Sequence, residues 1–485
     1  MIAALRSHWV PLLCGLFIVV NSWMMAMHKP WLNFLPVVLL VLWALLTKPR
    51  DVLLFVVFAT PLSLNLEQLE LGGIGVALPT EPLMVALMGV LLLRLVTGEE
   101  RIDPGFLHHP VTRIVLLQLL WMAVCIAPSS MPLVSLKYLA ARLWFVCTMY
   151  FMAGLLFRRE ANFLRFLWCF VAGTAIVVVY TLVHHAQFGF AHDPAHWVMA
   201  PFFKDHTSYG AILALVIPFL VTALGMERYS AGQRFGAFLL LVLVSLGFVF
   251  SFTRAAWVSL AAAVAVFVVM RLRIPAWLLG VVAVVGGSLY LLNQDAITRA
   301  LERNQQESSD DLAQHVTSIS NVSSDASNLE RINRWNSALR MFEDRPFFGW
   351  GPGTYMFQYA PFQAAADRTI ISTNFGAGGN AHSEYLGPLA EQGVPGALIV
   401  VLLFGTVTTV AVRLWSRLPP GLDRQLTGAA FFGLMTYYVH GVLNNYLDLD
   451  KASVPFWGFT AMIVVLDLKY RKSGQEPQAL SRELA

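Results

Sequence analysis

Charge is scarce in this chain. Only 13% of its 485 residues are Asp, Glu, Lys or Arg, where soluble domains carry about 25%, and 57% are hydrophobic. A mean hydropathy of +0.63 excludes a fold that lives in water. Cysteine is scarce too. Cys14, Cys125, Cys147 and Cys169 all lie in apolar runs, without a C-x-x-C pair, which argues against a disulfide framework or a thiolate metal site and for small buried hydrophobes. No internal repeat is visible. The run Gly349-x-Gly-x-Gly353 has no strand before it and no Lys-Ser/Thr after it, so the phosphate-loop reading fails.

What the chain has instead is apolar runs. About 20 apolar residues cross a bilayer's hydrocarbon core. By that measure spans fall near 9–27, 31–47, 51–66, 81–97, 111–128, 133–156, 163–183, 207–226, 235–253, 255–270, 274–292, 394–413, 425–444 and 452–468. Those at 31–47, 51–66 and 255–270 are short. Residues 1–27 mimic a secretory signal, but no small-x-small site follows and more spans come at once, so a retained first span is expected. Lys and Arg collect on alternate connections: Lys48 and Arg50, Arg94 and Arg101, Arg158 and Arg159, Arg228 and Arg234, Arg271 and Arg273, Arg413 and Arg417, then Lys469, Arg471 and Lys472. The positive-inside rule places these connections and both termini in the cytoplasm. The expected fold is an all-α polytopic membrane helix bundle of about 12–14 transmembrane helices. Its expected parts are an N-terminal bundle over 1–292, a partly helical periplasmic loop over 293–393, C-terminal helices over 394–468 and a cytoplasmic tail over 469–485.

Two outer connections carry polar residues. One runs from His184 to Thr207 and holds Lys204, Asp205 and His206; the other runs from Asn293 to Ala381. In the second, Leu329, Ile332, Trp335, Leu339 and Phe342 recur at helical spacing, predicting an amphipathic helix that rests on the bilayer surface or on the bundle. Asp344-Arg345-Pro346 ends it, and a tight turn follows over Gly349–Gly353. Further on, Leu386, Leu389 and Ala390 predict a short helix starting near His382, broken by Gly393, Pro395 and Gly396 ahead of the next span.

His382 and Glu384 therefore stand where a long polar loop meets the membrane, and an ionisable group there is either a solvated cap or a site. Arg254, between Thr253 and the small Ala255 and Ala256, either snorkels to the head groups or binds an anion. Arg331, Arg334 and Arg345, with Lys137 and Arg142 at the start of the sixth span, make an external basic funnel suited to phosphate oxygens. His192, Asp193 and His196 have a metal-binding spacing, but the sequence shows no scaffold to fix them and no metal is assigned. His440, Asn444, Asn445, Asp448 and Asp450 either line the same cavity or cap the penultimate span.

Together these pieces resemble the O-antigen ligase superfamily. The resemblance rests on Ser251-x-Thr-Arg254-Ala-Ala, Arg331-x-x-x-Trp335, Pro346-x-x-Gly-x-Gly351, His382-x-x-x-Leu386 and Glu391-x-Gly-x-x-Gly396, and extends to Phe203–Gly210. It implies a membrane glycosyltransferase acting on an undecaprenyl-diphosphate-linked glycan, with His382 as general base and Arg254 stabilising the departing diphosphate. It also implies substrate-binding roles for Arg331, Arg334, Arg345, Arg142, Lys137, Lys204, His206 and Glu384, and no need of a metal, ATP or other cofactor. The superfamily includes ligases acting on lipid A-core, glycan polymerases and protein O-oligosaccharyltransferases. Only about 17 polar residues follow the last span, without the extra domain many protein-modifying relatives carry, which favours ligase or polymerase; ligase is the expectation. A transporter of anionic lipid-linked sugars is the competing class, disfavoured because the polar residues gather on one face rather than at the midplane.

Overall fold

The computed structural model describes residues 2–66, 75–275, 326–368, 372 and 379–472. Helices dominate. In chain order they are α1 Ile2–Ala26, α2 Leu35–Thr47, α3 Pro49–Ala59, α4 Thr80–Val96, α5 Pro110–Ile126 and α6 Pro132–Val146. Then come α7 Ala161–Ala186, α8 His206–Leu224, α9 Ala231–Val249, α10 Arg254–Arg271 and α11 Ala326–Asp344, followed by α12 Leu386–Arg417, α13 Leu422–His440 and α14 Asp450–Lys472. Among the described residues, eight helical stretches are long and apolar enough to cross a membrane. This is an all-α, multi-pass membrane protein.

The chain forms two compact units, Met1–Leu53 and Leu54–Ala485. In the first, Asn21 Nδ2 donates to Asn33 Oδ1 at 2.7 Å and ties α1 to the turn before α2. In the second, α8 and α10 pack on α13, α9 packs on α8, α12 packs on α5, and α13 packs on α14. Most of α14 is buried, with Val454, Phe456, Trp457 and Ile463 at its core.

The expected span at 51–66 is corrected. Its helix stops at Ala59 and gives way to a helical turn over Thr60–Leu62, because Pro61 removes a donor. A two-residue strand β1, Leu64–Asn65, then pairs antiparallel with β2, Ala77–Leu78. Here the Ser63 and Thr80 hydroxyls each donate to Asp450 Oδ2 at 2.6 Å, which a hydropathy average does not register. The expected span at 274–292 lies outside the described residues apart from 274 and 275.

The expected short helix near His382 is also corrected. α12 begins at Leu386 and continues to Arg417 through one kink at Gly393, where φ is 67° and ψ is −169°. Pro395 has no N–H to give the carbonyl four residues earlier, so Glu391 O accepts from Gly351 N–H at 2.8 Å. Ala390 O accepts from Trp350 N–H at 3.0 Å, and Val394 N–H donates to Pro346 O at 2.9 Å. The kink thus turns backbone groups outward, and the 346–351 turn satisfies them.

A Cβ at Gly393 would lie 2.1 Å from Phe347 O, whereas one at Gly405, in the straight part of the same helix, meets nothing within 4 Å. Gly393→Ala is expected to destabilise by roughly 2 kcal/mol or more, and Gly405→Ala to be neutral or slightly stabilising. Thermal unfolding in detergent reads both, and equal midpoints would remove the kink from this account.

Candidate functional site

One end of the Leu54–Ala485 unit gathers the starts of α8, α10, α12 and α14 and the ends of α9 and α13. Over it lies α11, packed on α12 through a small core of Ala338, Met341, Tyr355, Tyr359, Ala381 and Ala390. The helix expected from the sequence is therefore present, but the face it buries carries Asn333, Arg334, Ser337, Ala338 and Met341, while Leu339 of the expected apolar face is exposed.

His382 stands just before α12 in a left-handed conformation, with φ at 48°. That conformation is uncommon for a residue with a Cβ, and both peptide neighbours hold it. The His382 N–H donates to Asn380 Oδ1 at 3.1 Å, and the indole of Trp335 on α11 donates to His382 O at 3.2 Å. The ring is fixed as well. Asn444 Nδ2 donates to His440 Nε2 at 3.1 Å, which leaves Asn444 Oδ1 to accept from His382 Nδ1–H at 3.2 Å. This arrangement selects the tautomer whose Nε2 keeps its lone pair. Burial, then the charges of Arg331 and Arg334, push the His382 pKa down to about 4, so the imidazole is neutral.

Arg334 is buried. Its Nε donates to Glu330 Oε1 at 2.7 Å, its Nη1 reaches Asn380 O at 3.4 Å, and its guanidinium covers the Tyr359 ring at 4.4 Å. A Cβ at residue 379 would fall 1.3 Å from Arg334 Nη1, so Gly379 is what lets the chain wrap the guanidinium. Arg331, one turn earlier, presents its charge to His382 and also to Tyr446.

The Ser251–Arg254 motif makes the turn between α9 and α10. Phe252 takes φ at 48°, and Thr253 Oγ1 donates to His206 O at 2.7 Å, which docks the turn on the start of α8 and leaves Arg254 heading α10. Asp205 caps α8, accepting from Ser208 N at 2.7 Å and from Thr207 Oγ1 at 2.7 Å. Thr207 in turn meets the Tyr446 hydroxyl. His382, Arg331, Arg334, Asp205 and His206 are thus brought together.

Other candidates are engaged elsewhere. Arg142 is buried and donates to Leu447 O at 3.0 Å, Tyr138 Oη at 3.0 Å and Asp448 Oδ1 at 3.1 Å. Glu384 Oε1 accepts from the Tyr437 hydroxyl at 2.5 Å, Tyr446 N at 2.8 Å and Leu447 N at 3.0 Å. Burial, and next the Asp448 charge, raise its carboxyl above the usual range. Both residues line a cavity of about 250 Å³ beneath the 380–388 segment. Arg345 stacks on Trp350 at 4.0 Å, and Lys137 and Lys204 are exposed. Asn444, the partner of His382, stands in the polar cluster that the sequence placed at the same cavity or at the cap of the penultimate span, but nothing in the sequence paired it with the imidazole. Asp450 stands apart at the β-hairpin.

Residues 238–401 match the family model described as O-Antigen ligase; no curated protein matches the chain. The match includes Arg254, Arg331, Arg334, His382 and Glu384 and leaves out His206, His440 and Asn444.

Glu384→Ala leaves three donors facing a void, at about 1–3 kcal/mol for each buried donor left unmade. That variant is expected to lose most of its thermal stability in detergent, whereas Glu384→Gln keeps an acceptor and most of the stability. Equal melting of Glu384→Ala and the parent would show that the carboxylate is not a clamp.

Proposed function

Since the 238–401 stretch belongs to the O-antigen ligase superfamily, we propose that this protein is a membrane glycosyltransferase acting at the end of the bundle that carries His382. It moves a glycan from an undecaprenyl-diphosphate donor to an acceptor hydroxyl on the periplasmic side. The acceptor is lipid A-core, so the reading is an O-antigen ligase. The observation that carries it is a neutral imidazole with its tautomer fixed by Asn444 and its Nε2 lone pair kept, set among guanidinium groups.

In the transfer, His382 Nε2 takes the proton of the acceptor hydroxyl while that oxygen forms a bond to the anomeric carbon. The bond from the anomeric carbon to the diphosphate oxygen breaks, and the electron pair leaves with the lipid diphosphate. Arg331 and Arg334, beside His382, and Arg254 at the head of α10 are the groups assigned to stabilise that growing charge. Arg345, Lys137, Lys204 and His206 are assigned to the outer rim of the donor and acceptor path, while Arg142 and Glu384 hold its inner wall through their internal partners. The topology follows the same reading, with Arg158, Arg228, Arg271, Arg413 and Lys469 at the cytoplasmic end.

A base whose conjugate acid has a pKa of about 4 is active when deprotonated. Activity is therefore retained from neutral pH down to about 5 and lost as pH falls through about 4. Arg331→Gln removes a charge that opposes protonation, so its acid limb moves upward. A limb that stays in place in Arg331→Gln would separate that arginine from the base.

Replacement of the gene by its His382→Ala form, with surface glycans resolved by size and by anchor, tests the assignment. Long glycan accumulating on the undecaprenyl carrier, with none on lipid A-core, is the expected result. Single repeat units on the core would make the protein a polymerase instead, and unchanged pools would remove His382 as the base.

A further inference from the structure

The connection between α7 and α8 is a fixed scaffold. His185 Nε2 bonds Ala191 O at 2.7 Å, His184 Nδ1 bonds Val198 O at 3.0 Å, and the Tyr180 hydroxyl donates to Ala200 O at 2.8 Å. Ala195, Val198 and Met199 are buried beneath it. This framework presents His192, Asp193 and His196 with their ligand atoms within 4.8 Å of one another. The His196 ring also stands 4.3 Å from that of His206, at 76°, and His206 Nδ1 is buried without a hydrogen-bond partner among the described residues.

We propose that His192, His196 and His206 form a site for a borderline divalent metal ion such as Zn²⁺, with Asp193 holding the first two rings from behind. Three imidazole ligands with one open position suit that ion in tetrahedral geometry, at about 2.0–2.1 Å. The ring nitrogens are already sorted. His196 Nδ1 lies 3.0 Å from Asp193 O, and His192 Nδ1 lies 3.3 Å from Asp193 Oδ1. These contacts orient each ring with Nε2 outward, as the outer hydrogen bonds of metal-ligating histidines do. Arg331 faces His206 and opposes a cation there; Asp205 and Asp193 offset it.

The site has a place in the machinery. The His192 ring packs edge-on against Phe252 at 5.3 Å, and His206 O holds the Thr253 hydroxyl. An ion bridging these histidines clamps both sides of the turn that precedes Arg254. It enters no bond-making step.

The test uses the full chain in detergent, freed of metal with a chelator and titrated with Zn²⁺ alone, bound zinc being read by elemental analysis and calorimetry. One Zn²⁺ per chain is expected, with affinity lowered at least tenfold by His196→Gln or His192→Ala and abolished in the double variant. Both side chains reach the surface, and equal melting of the metal-free proteins checks that the variants fold. Zinc uptake equal in the parent and the double variant, including none in either, overturns the proposal whatever the fate of the transferase reading.

Discussion

The site depends on one buried carboxylate. Glu384 lies two residues after His382 and takes donors from Tyr437 on α13 and from the backbone of residues 446 and 447. Its own N–H donates to Gly441 O at 2.7 Å. A carboxyl in a low-dielectric interior is costly unless its lone pairs are filled, and here donors fill them from the segment that carries Asn444. The same contacts that satisfy the acid set the amide beneath the imidazole. Asn380 Nδ2 on Asn445 O at 3.4 Å and the Tyr385 hydroxyl on Tyr438 O at 3.0 Å add to the same joint.

A neutral histidine next to two guanidinium groups follows from the same economy of charge. Protonated imidazole would have to be desolvated and then placed beside Arg331 and Arg334; both effects disfavour it. The arginines therefore act twice. They keep the imidazole unprotonated, and on the proposed reading they also attract the anionic diphosphate. Glu330 restrains Arg334 by an ion pair at 2.7 Å between two buried side chains, so one of the two cations is fixed in place.

Much of this was legible from residue patterns, in parts that differ for physical reasons. Long apolar runs and the alternation of Lys and Arg mark helices, because the bilayer demands about 20 apolar residues whatever the packing. The 51–66 run misleads because its average hides Pro61 and the hydroxyl partners of Asp450. The periodicity of Leu386, Leu389 and Ala390 identifies a helix face and says nothing of the first helical residue, so the start expected near His382 falls instead at Leu386. The Ser251–Arg254 motif stands at the turn that Thr253 docks on the start of α8, and the His382 motif stands just before α12. Asn444, 62 positions from His382, is joined to it only by tertiary folding, and so are the internal partners of Arg142 and Glu384.

The left-handed backbone at His382 has a consequence for rate. Its amide is tied to Asn380, its carbonyl to Trp335 of α11 and its ring nitrogen to Asn444. A residue whose backbone is held at two points and whose ring is held at a third loses its freedom when the protein folds rather than when substrate arrives. For the proposed transfer, the effective molarity of this imidazole toward a hydroxyl then depends on how well the acceptor is held, and little on the protein's own reorganisation. On that reading the slow search for geometry belongs to the two substrates.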